Sequence, residues 1–288
     1  MEEAYCDLVD VNVDSSTRRE AAQRIGALRD EATTVDVERL VQQLTNTHDC
    51  DVGGGAISVR RAALLAFTEL ARGEGGDLPA AVAASTPAVA ALLGHADPDA
   101  REMATRAMSV LGVHADASAV AALLEDEEAD VRSAASDTLI ALRDTLKEAD
   151  ITAIASPLVL ASPPLEDEDV LVGVLQTLGG VGAAAAVQAN HVATCMLSEE
   201  AAVAIRVAAV KAFTTLAQAK AGACAAHLPG LSKLLEDEEA SLRAAAVDAL
   251  GQLGEVSDFG DAISELLGDP DRVVRSAATA VLKRWELA

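Results

Sequence analysis

A segment near residue 50 holds the residue types that most often bind metals or anions. Residues 48–51 read His-Asp-Cys-Asp, and residues 53–55 are three glycines just before a predicted helix. His, Cys and Asp side chains ligate metals, and the N–H groups of a glycine run at a helix start can hold an anion. However, no second His/Cys cluster has finger-like spacing, and the glycines lack the Lys-Ser/Thr of a phosphate-binding loop. The segment 45–57 is therefore either a metal or phosphate site or a mobile loop, and the loop is favoured.

His191 and Cys195 are a second candidate pair, because they lie four residues apart on a predicted helix and can share one face. Such a pair is half of a zinc site, and the sequence offers no third ligand nearby. The surroundings are apolar, so packing is favoured over metal binding. No catalytic residue, cofactor site or metal site is assigned from the sequence.

An arginine recurs along the chain at the start of a fixed pattern. In the clearest copy Arg132 is followed by Ala134, Ala135, Leu139 and Leu142, at offsets of two, three, seven and ten. These offsets fall on one face of a helix, so each arginine is expected to open an amphipathic helix. Seven copies keep the arginine, at Arg19, Arg60, Arg101, Arg132, Arg206, Arg243 and Arg275. A degenerate eighth copy has Leu171 in its place.

A second apolar segment precedes each of these helices and ends before a polar turn, as in the sequence Leu123–Asp126. The anchor positions are 31 to 41 residues apart, which is the length of a helical hairpin repeat. A hairpin of this size cannot bury both apolar faces alone, so neighbouring repeats are expected to stack and share a core.

The turn aspartates Asp97, Asp130 and Asp269, the apolar-Arg pair and the Ala-Ala step together resemble the HEAT repeat. The resemblance is closest to the short HEAT repeats of the phycobilin-lyase-like families. It implies an all-α fold, an α-α superhelix of the HEAT/armadillo type: a right-handed solenoid of about eight two-helix repeats forming one domain over residues 1–288. It also implies that each anchor arginine reaches an acidic turn residue in a ladder. A structural role for the seven arginines is favoured over an anion-binding row.

The repeat is broken at residues 144–182, where the anchor arginine is lost and Pro157, Pro163 and Pro164 are expected to end helices. The segment closes with Gly-Gly-Val-Gly at residues 179–182, which permits an unusual turn. It is either a packing irregularity or a seam between two blocks of repeats, and the irregularity is favoured.

Residues 170–198 carry no Asp, Glu, Lys or Arg. They form either a membrane span or two buried helices joined by a glycine turn. The interior glycines and the acidic flanks favour the two helices, so no membrane is expected as a partner.

The chain carries 46 acidic and 22 basic side chains, a formal charge of −24. Such a charge repels nucleic acid and anionic membranes, so neither is expected as a partner. Carboxylates in excess with scarce lysine resemble proteins of salt-in halophiles, and a halophilic archaeal source is predicted. The widely spaced cysteines indicate reduced thiols and a cytoplasmic location.

In HEAT arrays the second helices usually line the concave face, so a partner-binding strip is expected four and five positions after each anchor. This resemblance predicts a non-enzymatic scaffold or adaptor that binds another protein, in a signalling or regulatory complex. The alternative is an enzyme or enzyme subunit of the HEAT-like lyase type or, against the charge and the five aromatics, of the DNA glycosylase type. The strip candidates are Arg24, Leu64, Leu65, Arg106, Asp137, Lys211 and Asp248.

Overall fold

The computed structural model describes residues 2–10, 13–28, 31–46, 58–72, 78–160, 168–253 and 256–286. Within these ranges the chain forms α-helices and short 3₁₀ turns, and none of the described residues is in a strand. Most of the candidate metal or phosphate segment, residues 47–57, lies outside the described residues. The chain divides into two compact units, Met1–Leu146 and Lys147–Ala288, and the boundary falls at the start of the irregular repeat.

The first unit contains nine described helices. They are α1 (Glu2–Val9), α2 (Ser15–Gly26), α3 (Thr34–Gln43), α4 (Val59–Ala71), α5 (Ala80–Ala84), α6 (Thr86–Leu92), α7 (Pro98–Met108), α8 (Ala117–Ala122) and α9 (Ala129–Ala141).

The second unit also contains nine described helices. They are α10 (Glu148–Leu160), α11 (Glu168–Val181), α12 (Ala189–Leu197), α13 (Val203–Ala219), α14 (Ala221–Cys224), α15 (Leu228–Lys233), α16 (Ala240–Leu253), α17 (Val256–Glu265) and α18 (Arg272–Glu286).

Each unit is a stack of helical hairpins in which a first helix packs on a longer second helix. In the first unit the second helices α2, α4, α7 and α9 pack one on the next, and in the second unit α11, α13, α16 and α18 do the same. The first helices pack on the other side of these rows, for example α3 on α4 and α12 on α13. Four hairpins per unit account for the eight predicted repeats, and the predicted all-α fold of stacked two-helix repeats is confirmed.

The spacing of apolar residues explains why the second helices occupy the centre of each unit. In α4 the positions two, three, seven and ten after Arg60 are Ala62, Ala63, Phe67 and Leu70, and all four are fully buried. The two alanines allow the neighbouring helix to approach closely, while the larger side chains fill the space between layers. The local pattern therefore determines which face of each helix is buried.

The prediction that Pro157 ends a helix is wrong, because α10 continues through it to Leu160. A proline in a helix removes one backbone hydrogen bond, but it lies near the end of α10, where little of the helix follows. Pro157 is itself buried, as are its neighbours Ile154 and Leu158. The packing of this turn in the core offsets the lost hydrogen bond.

The uncharged stretch consists of two helices, as its glycines predict. By length and composition, residues Glu168–Leu197 are the one candidate membrane span in the described part of the chain. The structure breaks this stretch after α11, where Gly182 has a φ of +73° and a 3₁₀ segment, Gly182–Gln188, leads into α12. A positive φ is readily adopted by glycine, so this residue permits the break.

Gly26, at the end of α2, provides a test of the close packing between second helices. A Cβ placed on Gly26 would overlap the Cβ of Glu69 on α4, so part of one helix would have to move. We expect Gly26→Ala to lower the free energy of unfolding by about 1–3 kcal/mol, as overpacked sites do. Urea denaturation followed by circular dichroism measures this change.

The matched control is Gly94→Ala, since a Cβ at Gly94 meets no atom within 4 Å. We expect this variant to be no less stable than the wild type. Equal stability of the two alanine variants would show that α2 and α4 are not in close contact at this point.

Candidate functional site

Aspartates in the turns before the second helices each make two kinds of contact. In one turn Oδ1 of Asp126 accepts a hydrogen bond from the Glu128 N–H at 3.0 Å, which satisfies a free donor at the start of α9. The carboxylate of Asp126 also binds the guanidinium of Arg101 from the preceding repeat. The same turn contact is made by Asp97, Asp237 and Asp269. One carboxylate thus serves as a helix cap and as a link between repeats.

Arg101 and Asp126 form a bidentate ion pair between α7 and the turn before α9. Nε of Arg101 lies 2.7 Å from Oδ2 of Asp126, and Nη2 lies 2.8 Å from Oδ1. Nη1 donates to the carbonyls of His95 and Ala96 in the turn of its own repeat. Because planar guanidinium and carboxylate groups match in two parallel hydrogen bonds, this geometry fixes both position and orientation.

Arg243 and Asp269 repeat this arrangement in the second unit. Nε and Nη2 of Arg243 lie 2.8 Å and 3.0 Å from the two carboxylate oxygens of Asp269. Nη1 donates to the carbonyls of Asp237 and Glu238, in the turn before its own helix. Each of these turns is thus held by an arginine of the preceding repeat and by the arginine of its own helix.

Arg60 and Arg206 bind their turn aspartates through one nitrogen each. Nη2 of Arg60 lies 2.5 Å from Asp97 Oδ2, and Nη2 of Arg206 lies 2.6 Å from Asp237 Oδ2. Arg60 also pairs with Asp99, at 2.9 Å between Nη1 and Oδ2. Arg206 donates from Nε to the carbonyl of Met196, at the end of the helix before it, which links three chain segments.

Arg132 and Arg275 contact backbone carbonyls of their own turns. Nη1 of Arg132 donates to the carbonyls of Asp126 and Glu127, at 2.8 Å and 3.0 Å. Nη1 of Arg275 donates in the same way to Asp269 and Pro270, at 2.7 Å and 2.8 Å. These carbonyls lie six and five residues before each arginine, so the contact is local to one repeat.

In the first repeat the buried arginine is Arg18, one position before the predicted Arg19. Arg19 is exposed, whereas Arg18 is buried and donates to the carbonyls of Leu8 and Asp10. The sequence contains a signal for this register, because Ile25 lies seven residues after Arg18. The Ala-Ala step predicted the wrong register here. In the other repeats the two alanines are expected two and three residues after the arginine, whereas Ala21 and Ala22 lie three and four residues after the buried Arg18.

The turn residue in the fourth repeat also differs from the expected one. Asp130 is exposed, and Asp126 is the carboxylate that binds the arginine of the preceding repeat. In three turns the binding aspartate lies six residues before the anchor arginine, at positions 126, 237 and 269. This offset identifies the aspartate that binds the arginine, because the aspartate is then the first residue after the 3₁₀ turn.

Arginine contacts shift the pKa of two turn carboxyls downward. Burial by itself would raise the pKa of Asp126, but hydrogen bonds from Arg101 and from the Glu128 N–H keep that pKa below its ordinary value. The hydrogen bond from Arg243 is the main cause that lowers the pKa of Asp269. A lowered folded-state pKa means that the native chain favours the ionised carboxyl more than the unfolded chain does.

The stability that Asp126 contributes is therefore expected to depend on pH in one direction. It is present above about pH 4, the ordinary carboxyl range, and is lost as the pH falls through the lowered folded-state value, because the unfolded chain takes up the proton first. We expect the difference in unfolding free energy between wild type and Asp126→Asn to be largest at neutral pH and to shrink in acid. Urea titrations at a series of pH values measure it, and a difference that stays constant would contradict the ionic contribution.

The predicted partner-binding strip on the second helices has fewer exposed residues than expected. The strip candidates Arg24, Asp137, Lys211 and Asp248 are exposed, whereas Leu64, Leu65 and Arg106 are half-buried. The positions four residues after three of the anchors, Thr105, Val210 and Val247, are buried. Because that position is buried in these repeats, it cannot contact a partner.

Two arginines of the strip form ion pairs within the chain. Arg24 lies 3.3 Å from Glu3 and 3.4 Å from Asp7, and Arg106 lies 2.8 Å from Glu102 one turn earlier on α7. All of these pairs are at least partly exposed, so each contributes little to stability. In the first unit the positive charges of the strip are thus already matched by nearby carboxylates.

The second unit has a groove between α11 and α13, in the irregular repeat and the one after it. Its volume is about 550 Å³. The lining residues on α11 are Val172, Leu175, Gln176, Gly179 and Gly180, and those on α13 are Ala204, Val207, Ala208, Lys211, Ala212 and Thr215. The groove was not predicted from the sequence, although the glycines that form part of it were noted as a break in the repeat.

Lys211 and Asp248 lie at equivalent positions on the neighbouring helices α13 and α16. Asp248 is exposed, but the protein atoms around its carboxyl partly desolvate it and raise its pKa above the ordinary value, and the positive charges of Arg284 and Lys211 partly offset this effect. The strip in the second unit therefore carries one positive charge, Lys211, at the groove and one negative charge, Asp248, on the next second helix.

His191 and Cys195 do not come together as ligands. His191 is exposed and its Nδ1 lies 2.9 Å from Oε1 of Gln188, whereas Cys195 is buried. Burial raises the pKa of the Cys195 thiol, which disfavours the thiolate that a metal would need. In the described residues, no three His, Cys, Asp or Glu side chains form a metal-binding group.

Comparisons with known proteins agree with this architecture. Residues 193–283 match the HEAT repeats family. A crystal structure of importin beta is similar with a TM-score of 0.58 at 14% identity, over 98% of this chain and 42% of that chain. A structure of the Kap95:Nup1 complex is similar with a TM-score of 0.60 at 13% identity, over the same shares.

An engineered protein is 19% identical with a TM-score of 0.45, over 96% of this chain and 76% of that chain. No curated protein sequence matches this chain. The chain spans less than half the length of the two importin-type chains, and at these identities the likeness concerns the fold. Residues 193–283 thus match HEAT repeats, and the chain has the all-α fold of stacked helical hairpins found in importin-type HEAT solenoids.

Proposed function

We propose that this chain is a non-enzymatic scaffold that binds another protein on the face formed by its second helices. The observation that carries this proposal is the row α11, α13, α16 and α18, whose exposed residues combine an apolar groove with scattered charges. Apolar contacts surrounded by a polar rim are the usual composition of protein-protein interfaces. HEAT solenoids are typically non-catalytic, and one of the similar solved structures is itself a complex of two proteins.

The charge of the chain supports the choice of a protein as partner. A net charge of −24 opposes binding to nucleic acid or to anionic lipid, both of which require positive surfaces. We infer from the same composition that the protein works in a cytoplasm of high salt, where self-repulsion is screened. Under such conditions apolar contacts contribute more to binding than exposed ion pairs do.

Site-specific photo-crosslinking in an extract of the source cells at molar potassium chloride tests this proposal. A photoreactive residue is placed at Asp248 or Ala280, which are exposed on second helices, or at Thr152 or Lys233, which are exposed on first helices. We expect a discrete protein adduct from the two second-helix positions and not from the first-helix positions. Adducts of equal yield at all four positions, or none at Asp248 and Ala280, would contradict the proposed face.

A further inference from the structure

The groove between α11 and α13 has an apolar floor made of small side chains. Ala208 and Ala212 of α13 and Gly179 of α11 are buried at its base, with Leu175 and Val207 beside them. A Cβ on Gly179 would lie 3.2 Å from the Cα of Ala212, so the glycine allows the two helices to approach. Small side chains on both helices leave space above the line of contact, and this space is the groove.

Gly180 contributes to the groove because it lacks a side chain at a position where later repeats have one. It lies nine residues after the anchor, and the equivalent residues of the following second helices are Thr215, Gln252 and Arg284. Gly180 is exposed, and an apolar side chain from another molecule can occupy the room beside it. The break in the repeat thus creates the cavity.

The two sides of the groove differ in charge. The α11 side is uncharged, since no Asp, Glu, Lys or Arg occurs in residues 170–198. On the α13 side Lys211 is exposed at the rim. Among the described residues no carboxylate forms a salt bridge with Lys211, and Asp248 on the next helix acts on it only at longer range. The rim therefore offers one ammonium group to an incoming carboxylate.

Building on the scaffold function proposed above, we infer that this groove binds a short segment of the partner protein with a defined chemistry. The segment inserts one or more aliphatic side chains over Gly179 and Gly180, and it places an Asp or Glu beside Lys211. A volume of about 550 Å³ holds aliphatic side chains of this kind, and it is within the usual range for binding clefts. The net charge of −24 would by itself attract a basic segment. At the groove, the positive charge of Lys211 instead favours an acidic segment.

Selection of short random peptides on the immobilised full chain, followed by affinity measurements with the enriched peptides, tests this inference. We expect the enriched peptides to combine at least one aliphatic residue with an acidic residue. Ala204→Tyr fills the groove from an exposed lining position and is expected to weaken binding about tenfold or more. Lys211→Glu is expected to weaken it as well, by a factor that falls as the salt concentration rises, whereas Lys211→Arg keeps the charge and retains binding.

The matched control is Ala219→Tyr, an exposed alanine of the same helix outside the groove, which is expected to bind as the wild type does. Enriched peptides that are basic, or that bind the Ala204→Tyr variant as tightly as the wild type, overturn the inference. The absence of enriched peptides also overturns it, and the scaffold function still stands if Asp248 and Ala280 crosslink to a protein. Self-association that Ala204→Tyr abolishes overturns it too, because the occupant is then a second copy of this chain.

Discussion

Asp126→Ala is expected to lower the free energy of unfolding by about 3 kcal/mol, because it leaves the guanidinium of Arg101 buried without its carboxylate. The Arg101 side chain is 9% exposed and that of Asp126 is 6% exposed, so water cannot replace the lost contact well. The substitution also removes the hydrogen bond to the Glu128 N–H at the start of α9. Urea denaturation, with hydrogen exchange of the α7 and α9 amides to locate the effect, measures the loss.

Glu127→Ala is the matched control, since Glu127 lies in the same turn, contacts Arg101 at 3.5 Å and is 82% exposed. An exposed ion pair contributes little, so we expect this variant to lose less than about 0.5 kcal/mol. The double variant Arg101→Met, Asp126→Leu is expected to recover part of the stability, because it removes both buried charges. Equal losses for Asp126→Ala and Glu127→Ala would show that the buried pair has no structural role.

Phe213→Ala is expected to lower the free energy of unfolding by about 3–5 kcal/mol through loss of a large buried ring. Phe213 is fully buried on α13, the second helix that packs on both α11 and α16. The rings of Phe213 and His227 meet edge to face, with their centroids 6.3 Å apart. Nε2 of His227 in turn lies 2.8 Å from Oδ1 of Asn190 on α12. The cavity therefore opens at a junction of several helices. Urea or thermal denaturation monitored by circular dichroism measures this loss.

Thr215→Ala provides the comparison on the same helix, because Thr215 is exposed and its substitution leaves the core intact. We expect its effect to stay within about 0.5 kcal/mol. Phe213→Leu, which keeps most of the buried volume, is expected to cost less than half of the alanine variant. A loss for Phe213→Ala no larger than that for Thr215→Ala would mean that α13 is not at the centre of the second unit.

The arginine contacts show where sequence reasoning succeeds and where it fails. The offsets of two, three, seven and ten residues correctly identify buried positions after Arg60, Arg101, Arg132 and Arg206, because one helix alone determines them. After Arg275 only the position at offset three, Ala278, is fully buried. The partner of each arginine is not local: Arg60 binds Asp97, which is 37 residues away, whereas Arg101 binds Asp126, which is 25 away. Variable first helices and turns change this distance, so counting forward from the binding arginine does not identify the acid, whereas the offset of six residues before the next anchor does so in three turns.

The same reason explains the errors in the first and fourth repeats. Arg18 and Arg19 are adjacent, and the packing of α2 on α1 and α4 buries Arg18, which is in register with Ile25, although the Ala-Ala step favours Arg19. Asp126 and Asp130 lie in one acidic turn, and Arg101 on α7 meets the carboxylate of Asp126, which a single copy of the turn does not distinguish from Asp130. In both cases neighbouring residues have the same chemistry, so composition does not distinguish them.

The sequence by itself determined the all-α class, the eight helical hairpins and the buried face of each second helix, because these follow from periodicity within a single helix. Tertiary structure decided which residues four positions after an anchor are covered, which aspartate each arginine binds, and where a groove opens between α11 and α13. These features depend on how closely two helices far apart in the chain approach each other. That distance is determined by side-chain volumes on both helices together, as Gly179 and Ala212 show.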